Sequence, residues 1–383
     1  MAQFGFLSSF PPTRCGLATF TDALATSMAV RGDGAFVVRV VDESSPPAIT
    51  PGPIPIAAEM RNGMRRSIDA ATRTLNTADV AIIQHEYGIY GGPDGREVLD
   101  VLDGLAVPSI AVLHTVLANP TDGQRHVLEQ VVRRATTVVV MTEMARSNLE
   151  RSYVVDASIV QVIPHGVTPF VAARPTLSVS PFPARPVILT WGLIGPGKGI
   201  ERGIRALAEL QDLRPRPIYR VLGQTHPKVL AQDGDAYRDR LHALVSSLGL
   251  GQSVVIDGRY LSLDDLARAI LDADVVLLPY DNAVQVTSGV LAEAIAAGKP
   301  VVATAFPHAI EALSSGAGIV VGHDDPGAMA AALRTILSDR GVAARMATAA
   351  ARVSRETLWP AVGARYRRLA VELRATVDRK SVV

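Results

Sequence analysis

Short apolar runs alternate with longer amphipathic segments along all 383 residues, and that alternation constrains the fold more than any other feature. Continuous apolar strands suit a parallel sheet buried on both faces, and amphipathic segments between them suit helices that cover it. In the first half the pattern predicts strands near FGFLS, AFVVRVV, VAIIQ, SIAVLH and TVVVM, with helices near 17–30, 61–76, 121–134 and 142–151. It restarts at VILTW, followed by a helix over about 199–212 and then YRVLG, SVVIDG, DVVLLPY, PVVAT and GIVVG.

Between the two halves, residues 170–186 (FVAARPTLSVSPFPARP) hold four prolines and no helical periodicity, the mark of a linker. The chain is also longer than the ~250–300 residues at which one core stops growing. The expected organisation is therefore a Rossmann-like domain over 1–169, a linker over 170–186 and a second Rossmann-like domain over 187–355. The stretch 325–377 is helical by periodicity. Its last part, about 356–383, carries an apolar face of Trp359, Tyr366 and Leu369 suited to packing back on the first domain. Two doubly wound parallel sheets of this kind imply a central cleft, with ligands at the carboxyl ends of the strands.

Thirty-eight basic against thirty-seven acidic residues leave a formal charge of +1, so no global field recruits nucleic acid or an acidic membrane. The single cysteine, Cys15, forms no internal disulfide and fits a reducing compartment, which makes cytoplasm the expected location. The start MAQFGFLSSFPP lacks the pattern of a signal peptide, and no run reaches ~18 apolar residues, so no transmembrane segment is expected; peripheral membrane contact stays open.

Several loops carry chemistry. In SSFPPTRCGLATF, Gly16 stands where a strand gives way to a helix, a place where free amides meet a phosphate. In TWGLIGPGKGIERGI, Gly192, Gly197 and Lys198 satisfy most of a phosphate-cradling loop, but residue 199 is glycine where a Mg²⁺-holding hydroxyl would stand. The loop therefore suits a diphosphate without metal-assisted hydrolysis. Asp272 and Asp274 lie at a helix-to-strand junction, where short polar residues serve the turn, so no metal site is expected there.

His85, His114 and His165 each stand at the end of an apolar strand or in the loop after it, on one edge of the first domain, at spacings that make no zinc pattern. In QVTSGVLAEAIAAGKPVV, Glu293 is the one carboxylate of an apolar helix. It suits the vicinal hydroxyls of a ribose, with the amides of Ser288, Gly289 and Val290 aimed beyond that ribose.

Taken together, PPTRCGLATFT, VLHTV, VIPHGV, GLIGPGKGIE and PYDNAVQVTSGVLAEAIAAGKPVVAT resemble the retaining GT-B glycosyltransferases of family four, the group 1 type. The resemblance covers nearly the whole chain. It implies that Gly16 and Gly197 lie against the donor diphosphate, that Lys198 neutralises it, and that Glu293 holds the ribose. The amides from Thr287 to Val290 would meet the donor sugar, His114 would lie near the transferred sugar, and the main chain around Arg259 and Tyr260 would hold the base. Glu86, with His85 and His165, falls in the domain that receives the acceptor. Two positions depart from the family: Leu193 replaces an arginine that partners Lys198, and Gln285 replaces the first acid of a Glu-x₇-Glu pair.

The implied activity is transfer of a hexosyl group from a nucleotide-diphosphate sugar to a hydroxyl acceptor (a glycan, a lipid-linked acceptor or a small molecule), with retention and without a metal or other cofactor. Gln285 hydrogen-bonds a sugar hydroxyl in this reading but supplies no carboxylate nucleophile, which favours a front-face route. A GT-B nucleotide-sugar epimerase and a non-catalytic nucleotide-sugar or glycan-binding protein stay open as alternatives.

Overall fold

The computed structural model describes the chain except residues 14, 44, 48–51, 169–184 and 381–383. The expected linker, 170–186, lies almost wholly outside the described residues. The chain forms two compact units, Met1–Gly166 with Glu356–Val383, and Val167–Arg355.

Unit 1 runs β1 (Gln3–Ser8), α1 (Gly16–Met28), β2 (Gly34–Val41), β3 (Ile56–Arg61), α2 (Arg65–Leu75), β4 (Val80–His85), α3 (Glu97–Asp103), β5 (Ser109–Leu113), α4 (Asp122–Arg134), β6 (Thr137–Val140), α5 (Glu143–Ser152) and β7 (Val160–Val162). Its sheet is parallel in the order β3-β2-β1-β4-β5-β6-β7. β4, β5 and β6 are buried along their whole length, in keeping with the Val/Ile/Ala/Leu runs that make up most of each.

Unit 2 runs β8 (Val187–Trp191), α6 (Ile200–Ala208), β9 (Ile218–Leu222), α7 (Pro227–Asp233), α8 (Ala236–Ser247), β10 (Val254–Asp257), α9 (Leu263–Asp272), β11 (Val275–Leu278), α10 (Gly289–Ala296), β12 (Val301–Thr304), α11 (Pro307–Leu313), β13 (Gly318–Val321), α12 (Pro326–Ser338) and α13 (Arg340–Thr357). Its sheet is again parallel, in the order β10-β9-β8-β11-β12-β13. In both sheets the strand order reverses beside the first strand, at β1/β4 and at β8/β11. The loops leaving those carboxyl ends diverge and leave room for a ligand.

The final helix, α14 (Trp359–Lys380), belongs to unit 1. Trp359, Val362 and Tyr366 are buried with Phe4, Phe6 and Phe20, and Leu369 packs beside them. Gly166 admits that contact, since a Cβ there would run into the Trp359 indole. Burying side chains of this size contributes roughly 1.5–3 kcal/mol each, so truncating Trp359 would loosen α14 first.

The strands expected from apolar runs are present. β3 and β7 are additions at the two edges of the first sheet, and half-exposed patterns such as that of IAAEMR make no continuous apolar run. The helix expected over 61–76 begins only at Arg65, because β3 takes Arg61. Among the described residues, no helix is long and apolar enough to cross a membrane.

Candidate active site

In unit 2 the glycine loop follows β8. Gly192, Gly197 and Gly199 all take positive φ (123°, 88° and 61°), which L side chains resist. The Lys198 amide closes a turn on the Gly195 carbonyl (3.2 Å), and the Asp281 amide after β11 donates to the Gly197 carbonyl (2.9 Å). A Cβ at Gly199 would collide with the Pro279 carbonyl. Residue 199 is therefore glycine because a neighbouring strand end crosses there, and the missing hydroxyl follows from that crossing.

The loop meets α10 at the β8/β11 switch point. Trp191 Nε1 donates to Glu293 Oε2 at 2.9 Å, and a Cβ built on Gly192 would touch Val290 at 3.7 Å. Burial raises the Glu293 carboxyl above the usual carboxylate range, while the Trp191 bond opposes the rise. Lys198 Nζ lies 4.3 Å over the Tyr280 ring centroid. Lys198 and Glu293, expected at a phosphate and a ribose, thus stand on adjoining elements, and Trp191, which nothing singled out in the sequence, ties the strand before the loop to Glu293.

Ser288 caps α10, its Oγ accepting from the Leu291 amide at 3.3 Å. Its own amide donates to His308 Nδ1 at 2.8 Å, which corrects its expected role as a sugar-facing donor. Gly289 and Val290 open the helix, where N–H groups have no partner within the helix. Thr287 Oγ1 is buried with no hydrogen-bond partner among the described residues. Gln285 Nε2 donates to the Thr287 carbonyl at 2.9 Å, so this side chain braces the turn.

The loop after β10 holds Arg259 and Tyr260, both exposed. Arg259 binds Asp257 through both its side chain and its main chain, Nη2 to Oδ2 at 2.6 Å and main-chain N to Oδ1 at 3.0 Å. The Arg259 side-chain bond, opposed by desolvation, draws the Asp257 carboxyl down to about 2. The side chain and amide of Arg259 are thereby committed to Asp257. A cavity of about 240 Å³ opens beside it, lined among others by Arg220, Leu222, Leu261 and Arg268, and neither Lys198 nor Glu293 lines it. The site therefore rests on the switch-point geometry.

Asp274, set aside as a metal ligand, accepts from the Val187 amide at 2.7 Å. Among the described residues no cluster of three or more His, Cys, Asp or Glu is arranged to hold a metal.

In unit 1, Gly16 is the first residue of α1, and a Cβ there would meet nothing within 4 Å. Its glycine is not demanded by packing. The preceding loop is tied by Arg39, a fully buried side chain of β2 whose Nη2 donates to Thr13 Oγ1 at 3.0 Å and whose Nη1 pairs with Glu59 Oε1 at 3.0 Å.

His85 ends β4 completely buried, neither ring nitrogen having a partner among the described residues, and burial lowers it to about 4. It presents nothing to solvent, a correction to its expected place on an acceptor surface. His114 stays half-buried, its Nε2 2.7 Å from Gln84 Oε1, and burial lowers it to about 3. His165 contacts the Gly166 carbonyl through Nδ1 (2.8 Å) and is lowered by burial to about 4. Phe20 sets its edges against His114 (4.8 Å), His165 (5.0 Å) and Trp359 (5.1 Å). Glu86 accepts from Thr115 Oγ1 at 2.6 Å. The imidazoles are neutral near pH 7, as burial dictates.

Residues 178–353 match the family model described as glycosyl transferases group 1. The matched segment belongs to the group 1 glycosyl transferases. Among curated proteins, the chain is 34% identical over 271 residues to the D-inositol 3-phosphate glycosyltransferase of Kineococcus radiotolerans, covering 66% of this chain and 60% of that protein. It is 31% identical over 278 residues to the same-named protein of a Nocardioides species, covering 65% and 57%. The chain thus spans less than two thirds of these relatives' length.

Among solved structures, sucrose-phosphate synthase of Thermosynechococcus elongatus matches with a TM-score of 0.76 at 20% identity, covering 98% of this chain and all of that one. HepE of Anabaena, solved in complex with UDP and glucose, matches with a TM-score of 0.77 at 17% identity, covering 97% and 100%. At those identities the likeness shows the fold. The group 1 family and the GT-B fold are those to which the motifs pointed.

Proposed function

We propose that this chain is a retaining glycosyltransferase that moves a hexosyl group from a nucleotide-diphosphate sugar to a hydroxyl acceptor in the cytoplasm, without a metal. The observation that carries the reading is the meeting of the Lys198 loop with the Glu293 helix at the β8/β11 switch point, through Trp191–Glu293 and Gly192–Val290. Glu293 accepts from the ribose hydroxyls, Lys198 faces the diphosphate, and the first amides of α10 face the sugar.

As the bond from the anomeric carbon to the phosphate oxygen breaks, its electron pair passes to the diphosphate. Lys198 and the helix-end amides stabilise that charge. The acceptor oxygen attacks the same face and its proton goes to the departing diphosphate. No carboxylate is required at 285, where Gln285 braces the turn.

UDP-glucose is the first donor to test, since a structural neighbour is solved in complex with it. A polyol phosphate is the first acceptor to test, since the curated relatives are named for D-inositol 3-phosphate. Incubation with UDP- and GDP-sugars separates transfer from epimerised donor and from binding without turnover. Lys198→Ala reduces turnover by at least about 100-fold with the fold retained; near-normal turnover sinks the reading.

A further inference from the structure

We propose that Tyr280 is a positioning residue that holds Lys198 for the diphosphate; this rests on the donor-site reading above. The Tyr280 ring is almost wholly buried and is stacked on Phe306 with centroids 5.3 Å apart and planes 24° from parallel. Its carbonyl is fixed from two further strand ends, accepting from Thr304 Oγ1 at 2.7 Å and lying 3.0 Å from His323 Nδ1. The next residue, Asp281, is bonded through its amide to the Gly197 carbonyl. A rigid aromatic face therefore stands directly under the loop, with Lys198 Nζ 4.3 Å above it.

The chemistry of that contact differs from an ion pair. A carboxylate beside Lys198 would hold it and cancel its charge, whereas a ring face attracts an ammonium through its quadrupole and leaves the charge in place. Asp281, the residue after Tyr280, is occupied by Arg202, which also binds Asp324 at 2.8 Å. Among the described residues Lys198 makes no ion pair. With Leu193 where the family has arginine, one cation faces the diphosphate, and its orientation matters more. The Tyr280 hydroxyl is buried with no partner among the described residues, so the ring face is the feature in use.

The test is calorimetric titration of the full chain with UDP, GDP and ADP, following the tightest ligand. Tyr280→Leu raises Kd roughly fivefold, while Tyr280→Phe, which keeps the face, stays within about twofold. Lys198→Met also weakens binding, and Tyr280→Leu added to it has no further effect, because residues acting as a unit are not additive. Thermal melts confirm folding, and Tyr280→Met replaces Tyr280→Leu if the latter does not fold. Additive losses, or equal losses in Tyr280→Phe and Tyr280→Leu, overturn the role of Tyr280 and leave the donor site standing. Unchanged binding in Lys198→Met, or no binding of any of the three nucleotides, overturns the donor site itself.

Discussion

The indole Nε1 of Trp191 donates to Oε2 of Glu293 across 2.9 Å, joining residues 102 positions apart. The bond orients the carboxylate but does not cancel its desolvation, which lifts the Glu293 carboxyl above its ordinary value of about 4.3. The sign follows. An acid raised in the folded state stabilises the fold below about pH 4.3, and that contribution is lost as pH rises through the raised value. Glu293→Gln keeps an acceptor for Trp191 and removes the buried charge, so its stability relative to the native chain improves as pH rises from about 4.3 into the neutral range. The same change weakens nucleotide binding by about tenfold or more, since hydrogen bonds to a charged acceptor are the stronger ones. Melting curves across that range with nucleotide titrations check both; a stability difference independent of pH refutes the first.

Gln285 has a donor in use, its Nε2 on the Thr287 carbonyl at 2.9 Å. A carboxylate there has no proton to donate and opposes that carbonyl. Gln285→Glu is therefore expected to cost about 1–2 kcal/mol of stability near neutral pH and to lower turnover. A glutamine waiting to become a nucleophile would behave oppositely. Single-turnover assays decide it: a sharp rise in rate on Gln285→Glu places position 285 in the chemistry.

Lys198, Glu293 and the turn before α10 were legible because each is a polar residue in a setting that does not explain it, a glycine loop or an apolar helix. The sheets were legible because both faces of a buried parallel strand are apolar. What joins the residues was not. Trp191 meets Glu293, Tyr280 meets Lys198 and Ser288 meets His308 only because the strand order brings β8, β11 and β12 side by side. Periodicity reports a strand's faces and leaves its neighbours unknown. His85 misled for a related reason: the end of an inner strand looks like a ligand edge until the packing that covers it is known. The exposed edge strands β3 and β7 escaped because their burial is one-sided or slight.

The three histidines of unit 1 make acid a selective stress. His85, His114 and His165 are lowered by burial to about 4, 3 and 4. A histidine depressed in the folded state contributes stability that is present above its unfolded value near 6.5 and is lost as pH falls towards the folded value. Each such group gives a slope of roughly 1.4 kcal/mol per pH unit inside that window. The His85 ring nitrogens have no hydrogen-bond partner to lose among the described residues, so His85→Leu should fold and flatten the acid slope by about one proton's worth. Urea unfolding between about pH 7 and pH 4.5 measures it; an unchanged slope means His85 is already protonated in the folded chain.

Gly199 decides whether the glycine loop is a degraded nucleotide-hydrolysis loop or one built for another purpose. Its φ of 61° lies in the left-handed region, and a Cβ there would collide with the Pro279 carbonyl, a backbone atom that cannot swing away. Restoring the hydroxyl with Gly199→Ser therefore combines backbone strain with overpacking, a cost of about 3 kcal/mol or more. The displaced Pro279 would carry Tyr280 and Asp281 with it, so nucleotide affinity falls together with stability. Denaturation and calorimetric titration read the two losses. If Gly199→Ser instead folds as the native chain does and gains Mg²⁺-dependent nucleotide hydrolysis, the crossing at Pro279 is not the reason for glycine, and the loop belongs to phosphoryl chemistry after all.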